Sequence, residues 1–458
     1  MKTRAAVVVF ACLSGCATRD QAPDEATSDE STGDESTGDE STGDESTGDE
    51  STSSSESTSD EGETTFPPGC SADVEFADAQ QEAIVAGLLH LPKGSEVPGD
   101  VLASAYILFG DHAGLTSLKG FECATGMQDL YIADNAIVDV SPIAASPLNT
   151  LAMADNQVAD LEPLRAHPTL RLLDMPGNPI TSTAPVVDMP LLSNFDIDDT
   201  LVTELEGLTG LPSLATLRIE RTQVDDLAPL AGTTALESLA AGGTPLTSLA
   251  SLPDLPELSL AGFRGAQLSE LSIDASLPSL AWLDLADNQL TDVSELASAD
   301  LPSLYSLTLD GNPLTAIDSL AAISSLRELS IDEVGIGDLS PLASLPLLVL
   351  GAAGNGVVEI SPVAEVDTLD LRGNAIVEIS ALAGTSGTRR LDLRDNQITD
   401  FTPLLAVGFE SCAEVSLAGN PAANFEQVAD MLCASSIVVT DHCLPLECEP
   451  CPPDSGDC

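Results

Sequence analysis

The sequence predicts an α/β solenoid, and three observations predict it. A short apolar phrase recurs between Met127 and Pro421: Leu130-Tyr131-Ile132-Ala133-Asp134-Asn135-Ala136-Ile137, Leu283-Asp284-Leu285-Ala286-Asp287-Asn288-Gln289-Leu290 and Leu391-Asp392-Leu393-Arg394-Asp395-Asn396-Gln397-Ile398. Aligned on its Asn position, the phrase returns at Asn135, Asn156, Asn178, Thr200, Thr222, Thr244, Ala266, Asn288, Asn312, Val334, Asn355, Asn374, Asn396 and Asn420, mostly in steps of 22 residues. A period of this size marks stacked units, because no single unit can bury its own apolar face. Within each unit the alternation of apolar residues, as in Leu130 and Ile132, marks a short strand whose side chains switch face at every residue.

Each unit reads in the same order. Leu130 and Ile132 point inward, and the residues between and after them face outward on the sheet. Ile137, Val140 and Ile143 then turn inward from the returning side. Pro142 fits the first turn of a short helix, where its missing N–H costs nothing. About 22 residues leave room there only for 3₁₀ or single-turn helices. An earlier, degenerate unit runs from Tyr106 to Leu118 with Ala113 in the Asn slot. Ala266 and Val334 offer no side-chain hydrogen bond in that slot, and the chain near Ala261 to Leu268 is expected to bulge or kink.

The template Leu-x-Leu-x-x-Asn-x-Ile, with Asp139-Val-Ser-Pro-Ile-Ala144 after it, resembles the leucine-rich repeat of bacterial internalins and the related SDS22-like proteins. The resemblance implies a right-handed β-α superhelix, with a parallel sheet on the concave face and a 3₁₀ or irregular convex side. It implies that Asn135, Asn156, Asn178, Asn288, Asn312, Asn355, Asn374, Asn396 and Asn420 form a structural ladder, each amide satisfying buried turn backbone. Thr200, Thr222 and Thr244 keep one hydroxyl and thin that ladder. It also implies a helical N-terminal cap, since Val74-Glu75-Phe76 precedes a helical pattern over Ala79 to Leu89 and a second element from Val101 to Leu108.

The chain divides accordingly. Lys2, Arg4 and the apolar run Ala5 to Leu13 read as a signal peptide over residues 1–15, too short to span a bilayer. Leu13-Ser14-Gly15-Cys16 resembles the bacterial lipobox, which makes Cys16 the lipidated residue and its acyl chains the sole membrane anchor. Ala17 follows, with no Asp to resemble an inner-membrane retention signal, so an outer-membrane lipoprotein of the cell envelope is expected, facing periplasm or exterior. Residues 16–67 are an acidic Ser/Thr/Gly linker, with 17 carboxylates and no Lys or Arg between residues 20 and 65. Such a segment cannot bury enough apolar area to fold and reads as a stalk. Residues 68–122 form the cap with the degenerate unit, 123–421 the repeats, and 422–458 a closing helix from Phe425, a strand at Ile437 to Val439 and a Cys/Pro-rich tail.

Of ten Cys, Cys12 leaves with the signal and Cys16 is lipidated. The remaining eight are disulfide candidates in an exported chain: Cys70, Cys123, Cys412, Cys433, Cys443, Cys448, Cys451 and Cys458. None falls between Cys123 and Cys412. One arrangement joins Cys70 to Cys123 and Cys412 to Cys433, and leaves Cys443, Cys448, Cys451 and Cys458 to pair among themselves; spacing alone does not fix it. Cys448-Glu449-Pro450-Cys451 also has the spacing of a redox or zinc motif. No βαβ pattern surrounds it, and its nearest His is His442.

The formal charge is −59, which excludes nucleic acid as a natural partner. Outside the linker, 57 carboxylates face 12 basic residues, so the repeat body itself carries about −45. Candidate ligand contacts are the residues that the pattern places on the sheet face: Tyr131, Asp174, Asp196, Asp198, Arg218, Glu220, Arg221, Asp284, Asp310, Arg372 and Arg394. They read either as solvation and cross-strand ion pairs or as an acidic groove. Such a groove suits a basic protein segment, or weak Ca²⁺ binding by carboxylates such as Asp196, Asp198 and Asp199, though no EF-hand loop is present. Aromatics make up 3% of the chain, which argues against a broad high-affinity interface. The four His are dispersed and no catalytic motif occurs; neither catalysis, a cofactor nor a resident metal is expected. The expected function is a monomeric, non-enzymatic binding protein taking a protein or peptide on its concave face. The alternative is a structural surface protein with an acidic, divalent-cation-collecting body.

Overall fold

The structure, a computed structural model, describes residues 70, 74–363, 365–440 and 442–443. Sixteen strands form a single parallel sheet in strict sequence order. They are β1 (Ile107–Phe109), β2 (Asp129–Tyr131), β3 (Thr150–Ala152), β4 (Leu172–Asp174), β5 (Asn194–Asp196), β6 (Thr216–Arg218), β7 (Ser238–Ala240) and β8 (Leu260–Gly262), followed by β9 (Trp282–Asp284), β10 (Ser306–Thr308), β11 (Glu328–Ser330), β12 (Val349–Gly351), β13 (Thr368–Asp370), β14 (Ser386–Asp392), β15 (Gly408–Ser416) and β16 (Val438–Val439). Short 3₁₀ turns such as Ser141–Ile143 and Glu162–Leu164 return the chain, many with Pro in the first turn.

The sheet forms because each strand carries one inward Leu or its equivalent between two outward residues. Leu130, Leu151, Leu173, Phe195 and Leu217 pair in register down the stack and are at most 1% exposed. Ile132, Ile137, Val140 and Ile143 close the same core from the other sides and are wholly buried. The core is therefore one continuous apolar column.

The Asn amides stitch the turns. Asn156 Nδ2 donates to Met153 O in its own unit and to Ile132 O in the preceding one, while its Oδ1 accepts from Ile137 N. Asn312 repeats the pattern with Leu309 O, Leu285 O and Leu290 N. Thr200, Thr222 and Thr244 each donate only to the carbonyl three residues back, so the bond between units is missing there. The residue before this slot adopts positive φ in rung after rung, with Asp134 at 54°, Gly177 at 69°, Asp287 at 55° and Gly311 at 66°. Glycine suits that conformation. At Gly311 there is a second reason: a Cβ would sit 2.6 Å from the Asp287 carboxylate of the unit before.

The convex acids are also structural. Asp139, Asp160, Asp226, Asp292, Asp338 and Asp400 each accept from the N–H two residues on, at 2.8–2.9 Å, and so open the returning turn.

The expected bulge near Ala261 is not there. β8 pairs in unbroken register with β7 and β9, because Phe263, fully buried, fills the volume that Ala261 and Ala266 leave. The irregularity falls instead between β14 and β15, whose pairing shifts register between Ser386 and Arg390.

At the start of the sheet, α1 (Ala79–Leu88) is capped by the Asp78 carboxylate, which accepts from the N–H of Gln80 and Gln81. Gln81 is buried and its Oε1 accepts from Thr116 N, tying α1 to the first rung. A second helix, α2 (Gly99–Ser104), leads into β1, and Cys70 is bonded to Cys123 with Cα atoms 5.3 Å apart. At the far end α3 (Phe425–Cys433) buries Val428, Ala429 and Leu432. Here the expected Cys412–Cys433 pairing is corrected: Cys433 is bonded to Cys443, Cα atoms 6.3 Å apart, and so Cys443 is not left for the tail. Ten residues separate the two, and the turn after β16 brings them together. Cys412 is itself disulfide-bonded. The signal peptide, Cys16, the acidic linker, Cys448, Cys451 and Cys458 lie outside the described residues.

Candidate functional site

The outward residues of the strands form columns on the concave face; Tyr131, Asp174, Asp196, Arg218 and Asp284 stand in them, while Asp198, Glu220, Arg221, Asp310, Arg372 and Arg394 lie in the turns that follow the strands. The first cluster lies on β4 to β6 and the turns after them. Arg218 is its centre: Nε lies 2.9 Å from Asp196 Oδ2, Nη2 lies 2.5 Å from Asp198 Oδ2, and Glu220 Oε2 is 3.6 Å away. Arg221 in the same unit pairs bidentately with Asp199, at 2.6 and 2.7 Å. The Asp196, Asp198 and Asp199 group, expected as a Ca²⁺ candidate, is thus filled by two guanidinium groups. Among the described residues no group of three or more His, Cys, Asp or Glu is arranged to hold a metal ion.

Electrostatics in this cluster follow from burial. Asp198 is 3% exposed, and loss of solvent raises its pKa to about 6; repulsion from Asp196 adds to this, and Arg218 opposes it. Asp174 and Asp196 are raised for the same first reason. Arg218 is held protonated above its ordinary value, because attraction to Asp198 and Asp196 outweighs its own burial.

In the second half, Arg372 bridges Asp370 at 3.1 Å and Asp332 at 3.4 Å. Arg394 grips Asp392. Burial alone would raise Asp392, but the Arg394 bonds outweigh it and hold it below its ordinary range. Arg218, Arg221, Arg372 and Arg394, which the sequence suggests as breaks in an acidic surface, are therefore each occupied by carboxylates. Asp284 and Asp310 differ. The Asp284 carboxylate accepts from Ala286 N and that of Asp310 from Asp332 N, yet neither is in an ion pair among the described residues. Burial raises the Asp284 pKa, Arg264 opposes this, and Asp310 is near enough to add repulsion.

Tyr131 lies outside both clusters, two strands along its column from Asp174. Its ring stacks on Phe109 with centroids 5.0 Å apart and planes 13° from parallel. Phe109 is 67% exposed, Tyr106 53% and Ile107 43%, so β1 and β2 carry an apolar patch. The sequence hides it in the degenerate first unit, where Ile107 and Phe109 hold the outward positions of β1. Trp282 lies 6.2 Å, centroid to centroid, from Tyr305. Beyond it the outward column narrows to Thr308, Ser330 and Gly351, leaving a trough of about 400 Å³ walled by Asp332, Asp370 and Arg390.

A family model described as leucine rich repeat matches residues 267–314 and 278–336. These units are leucine-rich repeats. The repeat body is similar to an internalin of Listeria monocytogenes at 25% identity, with a TM-score of 0.56 over 72% of this chain and 92% of that one. It is also similar to a leucine-rich repeat protein of Leptospira interrogans, at 18% identity, TM-score 0.63, over 74% and 97%. A third likeness is to TLR13 in complex with ssRNA13, at 19% identity, TM-score 0.51, over 69% and 53%. A search of curated protein sequences finds no match. The single open parallel sheet is the architecture of such solenoids, which as a family are typically binding scaffolds rather than enzymes.

Proposed function

We propose that this is a non-enzymatic, lipid-anchored protein of the bacterial envelope that binds a protein or peptide ligand through its concave face. The observation that carries the reading is where the rings are. In a chain with 3% aromatics, the exposed Phe109 and Tyr106 gather with half-buried Tyr131 at one end of the sheet, and half-buried Trp282 and Tyr305 pack together in the middle. Large exposed apolar groups cluster where a partner covers them, and Tyr and Trp supply most of the energy when it does. The −59 charge of this chain favours protein over nucleic acid.

The anchor rests on Leu13-Ser14-Gly15-Cys16. Among the described residues no helix is long and apolar enough to cross a membrane, so acyl chains on Cys16 supply the attachment, and the outer membrane is the proposed address. The repulsion of so acidic a body favours a monomer.

Two experiments test this. Labelling with a fatty acid is expected to mark the wild-type chain, and Cys16→Ala to abolish the label; label retained by that variant would refute the anchor. Affinity capture from envelope extract is expected to yield a saturable partner that Phe109→Ala/Tyr131→Ala loses. A partner that ignores this double variant and also ignores Trp282→Ala does not use the concave face.

A further inference from the structure

Resting on the concave-face reading, we propose that β9 to β13 form the specificity site, and that the site takes an extended basic peptide segment with a Lys or Arg between Trp282, Asp284 and Asp310. Three features meet there. The first is shape. Thr308, Ser330 and Gly351 are consecutive small residues in one outward column, and they open the trough of about 400 Å³. Four strand spacings of about 4.8 Å cover ~19 Å, the reach of roughly six extended residues at ~3.3 Å each. A peptide crossing the strands can lay its backbone against these small side chains.

The second feature is charge that is not already used. The carboxylates around Arg218 and Arg221 have guanidinium partners, and those of Asp332, Asp370 and Asp392 share Arg372 and Arg394. Asp284, the register neighbour of the trough residue Thr308, and Asp310, two residues beyond Thr308, lean on backbone N–H groups alone. Arg264, the nearest cation, is taken by Asp287 at 2.7 Å. An incoming cation therefore displaces no resident ion pair and relieves the repulsion between the two carboxylates.

The third feature is the ring pair. Trp282 is the register neighbour of Ser306 at the trough's first strand, and Tyr305 packs beside it. An indole two residues from Asp284 on the same strand face suits a guanidinium or ammonium, which the ring and the acid attract together. The far wall carries Arg390, itself paired with Glu414 at 3.7 Å, so its charge is already met and the unpaired carboxylates lie on the β9 side. That asymmetry places the peptide's cationic residue at β9.

The test uses the full chain at physiological salt and an end-blocked, fluorescein-labelled octapeptide of Gly and Ser carrying two arginines, read by anisotropy. Its twin has citrulline at both positions. Saturable binding is expected for the arginine peptide, weakened about tenfold or more by Asp284→Asn/Asp310→Asn and by Trp282→Ala. Both Asn side chains can still accept the backbone bonds that hold the loops, so the double variant keeps its fold. A charge-matched control, Asp254→Asn/Asp318→Asn, is expected to bind as wild type. Equal weakening in the control, or equal binding of the citrulline peptide, would overturn the proposal, since it would reveal diffuse attraction to an acidic chain. Binding lost only in Phe109→Ala/Tyr131→Ala overturns this site while leaving the concave-face reading standing. No saturable binding overturns the basic-peptide assignment, and the captured-partner experiment then decides the wider reading separately.

Discussion

The residue that does most for the stack is the buried Asn. Asn312 is wholly buried and ties its own turn to the preceding one with three bonds. Asn312→Ala strands Leu290 N and two carbonyls inside the core, and is expected to cost about 3 kcal/mol in denaturant unfolding. Thr222→Ala removes one bond within its own unit and is expected to cost about 1 kcal/mol. Equal losses at the two sites would show that the bonds between units carry no weight.

Titration gives a second check at this scale. The Asp198 pKa of about 6 lies above its value in an unfolded chain, so its contribution is fully present below about pH 4 and is lost as pH rises through 6. His167 acts oppositely. Burial lowers its pKa, so its contribution is present above about pH 6.5 and lost as pH falls. Wild type compared with Asp198→Asn should therefore gain on the order of 1–2 kcal/mol between about pH 7.5 and 5, and compared with His167→Gln should lose stability over the same range. Parallel melting curves at both pH values would contradict the burial of Asp198.

At the level of elements, the strands were legible because a two-residue alternation inside a 22-residue period points to little besides a stacked parallel sheet. Leu130 and Ile132 announce β2 and its inward face together. The 3₁₀ turns were legible from Pro142 and the short return. β8 was not, because Ala261 and Ala266 look like gaps until Phe263 is seen to fill them. The site was less readable still. Sequence places Asp198 and Asp310 at the same position of the turn after the strand, but it cannot say that the first has a guanidinium partner and the second has none. It likewise hides Phe109 in a unit with no Asn. The C-terminal disulfide followed neither spacing nor rung order; the turn after β16 decided it.

The cap shows what an element contributes as a unit. It covers the apolar edge that β1 would otherwise expose, and the Cys70–Cys123 bond closes a 53-residue separation across it. Cys70→Ser/Cys123→Ser is expected to cost about 4 kcal/mol from the loop it frees. Hydrogen exchange should rise first in α1 and β1, with β9 to β12 unchanged. Uniform acceleration along the sheet would mean that the cap does not fray on its own.

For the repeat body as a whole, the acidity has a division of labour. Convex acids such as Asp338 and Asp400 open returning turns, and hydrogen bonds to the turn hold their pKa values down. Concave acids of the first half neutralise Arg218 and Arg221. What remains is a sheet face with an apolar patch at β1 and β2, and the unpaired carboxylates of Asp284 and Asp310 beside the trough near Trp282. A uniformly acidic coat has no need to gather its exposed Phe109 and Tyr106 at one end of the sheet, whereas a binding scaffold does.

Hydroxyl-radical footprinting of the full chain, alone and with its captured partner, measures this most directly. Protection is expected at Phe109, Tyr131, Trp282 and Tyr305, with the exposed residues Val138, Val358 and Met431 unchanged. Protection confined to those three, with the concave rings as reactive as in the free protein, would contradict the account.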